Sequence, residues 1–279
     1  MSATTTSRPT RPDPARPGAG VRALWSGNPG SIINRELIAA RSTNWAVLAS
    51  GIAEPIFYLL ALGIGIGGYV GDIVAADGSP IPYAAYIAPA LLAVAAMNGA
   101  LYDSTWNVFF KLHVQRHYEA MLATPLGPLD VAVGQISWSL LRGGVYGLAF
   151  LGVMQVLGLN LAWTALLALP AILLVAFGFA SFGMGLTSYL KSFQQMDWIF
   201  FVVLPMFLLS ATFFPITVYP EPVQWVVMAL PLWHGVELVR GLTTGHLDAG
   251  MLGHVAYYLV MAALGLTFAT RRLKALFLS

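Results

Sequence analysis

Cysteine is absent from all 279 residues. That removes disulfides, thiolate metal sites and cysteine nucleophiles together, and it leaves the redox compartment undetermined. Charge is scarce as well: 9% of residues are Asp, Glu, Lys or Arg, against about 25% in an ordinary soluble domain. A chain so poor in charge cannot coat a water-facing surface, which excludes a soluble enzyme and a disordered polypeptide. A formal net charge of +2 is no basic footprint for nucleic acid. No GxxxxGK[ST] occurs, so the chain cannot cradle a triphosphate through a P-loop. The first 20 residues, rich in Thr, Ser, Pro and Arg, lack the apolar core of a secretory signal. Residues 1–21 are predicted to form a disordered cytoplasmic tail, and 22–279 a single transmembrane domain.

What is present is apolar sequence in long runs. Hydrophobic residues make up 58% of the chain. A bilayer core of about 30 Å needs about 20 mostly apolar residues as helix. Six stretches qualify: roughly 45–68, 83–103, 130–157, 161–188, 197–215 and 251–270. They are too long and too continuous for barrel strands, which alternate with a period of two. The expected fold class is therefore an all-α polytopic membrane protein with six transmembrane helices. Gly63, Gly65 and Gly68 match GxGxxG literally, but they lie inside an apolar helix with no strand before them, so close helix packing is the better account.

Charge placement sets orientation. Arg8, Arg11, Arg16, Arg22, Arg35 and Arg41 precede the first span, Lys111 and Arg116 lie between spans two and three, Lys191 between four and five, and Arg271, Arg272 and Lys274 after six. Twelve of the 14 basic residues thus fall on one side, which makes both termini cytoplasmic by the positive-inside rule. The opposite loops hold Arg240 with Asp72, Asp77, Glu221, Glu237 and Asp248.

Glu54 and Arg142 are the charges within spans that most need explaining, because each costs about 2.5–3.5 kcal/mol or more at depth unless paired or hydrated. Glu54 lies about 14 Å along span one and Arg142 about 15 Å along span three, at 1.5 Å per residue. Matching depth predicts an ion pair between Glu54 and Arg142 that registers the two helices. Pro55, Pro89, Pro170 and Pro205 are expected to kink four spans.

Three segments outside the spans carry pattern. After Pro29, apolar Ile32, Ile33, Leu37 and Ile38 oppose Arg35, Glu36 and Arg41, which suits an amphipathic interface helix or a plain extension of span one. In 104–128, Trp106, Phe110, Val114 and Met121 recur near helical spacing opposite Lys111, Gln115, Arg116 and Glu119. This helix presents a polar face to a cytosolic partner or rests on the membrane as a connector. His113 and His117 share a face there, but HVQRH lacks the glutamate of HExxH and a third ligand, so neither a metal nor a cofactor site is expected. The outer loop 216–250 is apolar, and Pro220, Pro222 and Pro231 cut it into pieces too short to span. Such a loop is a re-entrant hairpin that serves as a structural plug or as a lateral exit for an amphiphile.

Residues 207–245, FLLSATFFPITVYPEPVQWVVMALPLWHGVELVRGLTTG, resemble the C-terminal signature of ABC-2-type transporter permeases: a small-residue turn, FFP, a further Pro, PL, a helix and an Arg before Gly. The matching positions are Ser210, Phe214, Pro215, Pro220, Pro231, Leu232, Arg240 and Gly245. EPIFYLLALGIGIG (54–67) and HYEAMLATPLGPLDVAVGQISW (117–138) are similar to segments of the lipo-oligosaccharide and daunorubicin-type exporter permeases of that family. The likeness runs from about residue 30 to 275. It implies the permease subunit of an exporter in a bacterial plasma membrane that recruits two copies of a separate ATP-binding subunit and pairs with a second or paralogous permease copy. It implies that 104–124 is the coupling helix, with Arg116 and Glu119 in polar contact with the ATPase, Lys111 beside them, Trp106 and Phe110 anchoring its base, and the 30–44 helix, bearing Arg35 and Glu36, as a second contact. It further implies that the outer hairpin, with Phe214, Tyr219, Trp233 and Arg240, lines the exit for an amphiphile such as a lipid-linked oligosaccharide or a hydrophobic drug. Where the family commonly has Gly after the serine of the outer turn, this chain has Ala211. The readings set against an exporter are a membrane-embedded lipid-modifying enzyme, with acid–base pairs His234–Glu237 and His246–Asp248, and a non-catalytic scaffold.

Overall fold

The computed structural model describes residues 25, 27–40, 45–74, 78–114 and 126–277. Helix α1 (Gly30–Ala40) precedes α2, which runs as Trp45–Tyr58, a π-helical segment Leu59–Ile66 and a last turn Gly67–Val70. Gly71 ends it at φ +74°, where only glycine is at ease. A short antiparallel pair follows, β1 (Asp72–Val74) with β2 (Pro80–Pro82), in the register Ile73↔Ile81. The run patterns gave no sign of these strands.

Helix α3 (Tyr83–Val114) is 32 residues long, about 48 Å at 1.5 Å per residue. It passes through π-helical turns at Asp103–Asn107 and Phe110–Val114. Residues 104–114, expected to begin a separate helix, instead continue this span. Helix α4 (Pro128–Val156) starts on a proline in its first turn, and the Asp130 carboxylate accepts the Gly127 N–H at 3.0 Å, which satisfies a free donor at the helix start. Helix α5 (Trp163–Thr187) and α6 (Phe193–Leu209) follow, then α7 (Glu221–Ala229), α8 (Pro231–Thr244) and α9 (Gly250–Phe277). Pro231 opens α8 and Gly245 closes it in the left-handed region at φ +84°.

Among the described residues, five helices are long and apolar enough to cross a membrane: Ile52–Val70 within α2, α3, α4, α5 and Gly250–Leu276 within α9. Helix α6 is a shorter apolar helix. The bundle is organised around α3. Of its most apolar stretch 89% is buried, against 17% for α2 and 22% for α9. Helices α4, α5 and α8 pack on α3, and α9 lies along α5. Small residues permit this proximity. A Cβ built on Gly99 of α3 would come within 3.1 Å of the Gly143 Cα in α4, and one on Gly265 of α9 within 2.4 Å of the Ser181 backbone in α5. With no hydrophobic drive between helices in lipid, such backbone approach is what holds a bundle together. The broad apolar faces of α2 and α6, with Phe57, Ile64, Trp198 and Phe201 exposed, suit lipid.

Candidate functional site

Helix α1 is locked to the bundle by charge. Ile32 packs so closely on α4 that a Cβ at Gly134 would lie 2.8 Å from the Ile32 Cβ. Beside it Glu36 accepts from three helices: Arg35 Nη2 at 2.8 Å on its own, Lys111 Nζ at 2.9 Å from α3 and Gln135 Nε2 at 3.0 Å from α4. Lys111 also donates to Gln135 Oε1 at 2.8 Å. Burial acts to raise the Glu36 carboxyl, but the Lys111 ammonium and the hydrogen bonds from Arg35, Lys111 and Gln135 outweigh it and hold its pKa below the usual carboxylate value. The chain before α1 is pinned as well, because Asp130 Oδ1 accepts from the Gly27 and Asn28 amides at 3.2 and 3.1 Å.

Deeper along α3 a second buried group forms. Arg142 Nη1 lies 3.2 Å from Asp103 Oδ1, and Ser139 Oγ donates to Asp103 Oδ2 at 3.0 Å. Asn107 Nδ2 completes the carboxylate's partners. The expected Glu54–Arg142 pair is therefore replaced: Arg142 spends its charge on Asp103 of α3, and Glu54 has no ion pair among the described residues. Arg142 meets α3 because α3 packs more extensively on α4 than α2 does.

Trp106 and Phe110, expected at the base of a coupling helix, form an aromatic cluster with the start of α6. Trp106 meets Phe193 at 4.9 Å and Phe200 at 5.9 Å between ring centroids, and Phe110 meets Phe193 at 6.2 Å. The cluster ties α6 to α3. His113 lies against Phe109 at 4.7 Å. Arg116, Glu119 and His117 fall outside the described residues, as does the 1–21 tail.

The residues expected in an outer hairpin fall in three places. Phe214 and Tyr219 meet as tilted rings, with centroids 5.2 Å apart. Arg240 donates to Glu237 Oε1 at 2.6 Å and to the Ala211 carbonyl at 2.8 Å, and its guanidinium lies 4.0 Å over the Tyr86 ring of α3. Tyr86 Oη also reaches the Ala211 carbonyl, at 3.4 Å. Ala211 is the one non-glycine residue among the described residues with positive φ, +54°. This is the conformation that a glycine would adopt without a Cβ clash, so the departure from the family pattern falls where the backbone most favours glycine. Trp233 instead contacts His254 of α9 at 5.2 Å.

The acids of the two pairs that a lipid-modifying enzyme would use have other partners. Glu237 holds Arg240, and Asp248 Oδ1 accepts the Met251 amide at 3.1 Å. His234 meets His254, with Nδ1 atoms 2.7 Å apart. Burial and the neighbouring imidazole push His234 down to about 4, against a backbone hydrogen bond at Met228 that raises it. His234 is thus neutral at physiological pH.

A cleft of about 710 Å³ opens between α2, α3, α4 and α6, with Glu54, Asn98, Tyr58, Tyr102, Tyr146 and Phe207 among its lining. Sequence reasoning missed Asp103, Gln135, Ser139, Tyr86 and Asp130. Asp103 stood at the assigned end of span two, where an acidic residue reads as a solvated terminus, and the continuation of the helix was the signal that would have drawn it inside.

Comparison with known proteins completes this picture. The family described as ABC-2 type transporter matches residues 30–243. Nodulation protein J of Rhizobium leguminosarum bv. viciae is 32% identical over 249 residues, covering 87% of this chain and 93% of that protein. Nodulation protein J of Rhizobium leguminosarum bv. trifolii is 30% identical, with 92% and 97% covered, and that of Sinorhizobium fredii 30% identical, with 84% and 88% covered.

Proposed function

Because the chain belongs to the ABC-2 type transporter family, and is thus the transmembrane subunit of an ABC exporter, we propose that it carries an amphiphile outward across a bacterial plasma membrane. The amphiphile is of the kind that a lipid-linked oligosaccharide or a hydrophobic drug represents. The observation that carries this reading is the cleft between α2, α3 and α6, large enough for an acyl chain or a ring system. It is flanked by α6, which the Trp106 cluster holds to α3 through ring contacts.

In this reading α6 counts as a sixth span, and the clustering of basic residues puts both termini in the cytoplasm. Helices α7 and α8 enter the outer leaflet and return, and Phe214, Tyr219, Trp233 and Arg240 line the exit. Two copies of a separate ATP-binding subunit supply the energy, and a second copy or a paralogous permease completes the pore. Coupling runs through residues 104–124, with Arg116 and Glu119 touching the ATPase. Glu36 and Lys111 contribute by fixing α1 against α3, so that a push on either helix moves both. Arg35, more exposed than Glu36, extends the contact, and Trp106 and Phe110 pass the movement to α6.

Charge reversal at Glu119 tests the coupling. Glu119→Lys is expected to abolish ATP-dependent export while the protein still inserts in the membrane. Unchanged transport would remove Glu119 from the coupling role, and purification of the wild-type chain as a lone monomer would count against the whole assembly.

A further inference from the structure

Glu54 is a carboxylate in an apolar stretch of helix with no ion pair among the described residues. At membrane depth such a group costs about 2.5–3.5 kcal/mol or more, so its retention at the mouth of a cleft calls for a partner. Aromatic rings line the cleft with it. Tyr58 lies one turn beyond Glu54 on the same face of α2, and Asn98 and Tyr102 bear the same spacing on α3. Tyr146 approaches from α4 and Phe207 from α6. Arg142, the cation one turn from Tyr146, is committed to Asp103. The remaining walls are apolar, mostly leucine and valine of α3 and α6 with Pro55, Gly99 and Phe200. A carboxylate with several aromatic faces attracts a cation through charge and ring quadrupole together, and an ammonium with little hydration is the group best suited to it.

We propose that Glu54 is the counter-ion of a headgroup site, and that the cleft takes an amphiphile with an amine or quaternary ammonium head and an apolar body. This rests on the exporter reading for its biological sense and narrows the substrate class that reading leaves open.

The test uses the full chain in nanodiscs of zwitterionic phosphatidylcholine without an ATPase. Two photoactivatable probes share one hexadecyl diazirine chain, one with a trimethylammonium head and the other with an uncharged hydroxyl head. Label in α2 and α6, located by mass spectrometry, is expected to favour the cationic probe about tenfold, the ratio that about 1.4 kcal/mol gives. Glu54→Gln brings that ratio to about one with neutral-probe labelling unchanged, which also reports an intact fold. Glu54→Asp, which keeps the charge, retains the preference and serves if the glutamine variant does not fold. Equal labelling of the wild type by both probes, or a cationic preference that survives Glu54→Gln, overturns the proposal. Because no ATP is involved, these outcomes are independent of whether the chain exports: ATP-driven efflux with no cationic preference would leave the exporter reading standing and remove only the charge assignment.

Discussion

Arg142 and Arg240 are both nearly buried cations among apolar helices, with side chains 9% and 11% exposed, yet they hold their surroundings by different means. Arg142 faces a carboxylate that is itself 1% exposed and that Ser139 and Asn107 also serve. Arg240 faces a Glu237 side chain that is 34% exposed, and its second contact is a backbone carbonyl in a left-handed turn. The first arrangement joins two helices into one body. The second is a clasp closed over a single peptide group, and among the described residues Arg240 Nε is left without a partner. The contrast teaches that the α3–α4 junction is held by paired charges, whereas the turn at Ala211 is held through one backbone carbonyl that Arg240 and Tyr86 share.

Breaking the first side of the comparison has the largest expected effect. Arg142→Leu strands the Asp103 carboxylate in the bundle, and removal of one partner of a buried pair costs about 3–5 kcal/mol. Thermal unfolding in detergent should show the loss, and Arg142→Leu combined with Asp103→Leu should recover most of it. A double variant as unstable as the single one would mean that the pair does more than neutralise charge.

The clasp should respond less. Arg240→Met removes charge-assisted hydrogen bonds worth about 1.5–3 kcal/mol. Hydrogen exchange should rise at residues 210–214 and stay unchanged in α4. A rise in both regions would dissolve the distinction between them.

Glu36 sharpens the fixed side through pH. Its folded pKa is depressed below the ordinary carboxylate value of 4.5. The stability it lends to α1 is therefore present above that value and lost as pH falls through the lower, folded one. Exchange protection of α1 amides should decline in acid over that window. In Lys111→Met, which removes the charge chiefly responsible, the decline should begin at higher pH. Identical acid profiles in both proteins would show that Lys111 does not hold the carboxylate.

The smallest effect is expected at the turn itself. Ala211→Gly relieves the left-handed strain, but it adds freedom to the unfolded chain, and the two terms of about 1 kcal/mol oppose each other. Melting temperature should change little, and a large drop would indicate that the buried Ala211 methyl packs more tightly than its φ suggests.

Much of this architecture was legible in the residues. The apolar runs found the helices because length and hydropathy are local properties, and ABC-2 membership followed from the order of motifs in 207–245. What stayed hidden depended on which helix lies beside which. Glu54 and Arg142 share a depth, but depth says nothing of lateral neighbours, and α3 rather than α2 lies flat on α4. The end of span two was placed at its first acidic residue because solvation is the common fate of an aspartate there. In fact Asp103 is 1% exposed, with Arg142 as its reason. The Trp106–Phe110 spacing was real, and it marks the face of α3 that receives α6.

The enclosure of α3 has a mechanical consequence. From Ala85 to Ala100 half of its residues are alanine or glycine, and almost all of the stretch is out of contact with solvent. Tied to α4 through Asp103, Arg142 and Ser139, α3 is a rod that moves with α4 as one body, because any sideways tilt must spread its neighbours at once. The last described residue of that rod is Val114, from which the chain continues into residues 115–125. A force applied there is delivered as thrust or torque at Tyr86, some 40 Å away at about 1.5 Å per residue, where the ring of Tyr86 meets Arg240 and the turn at Ala211.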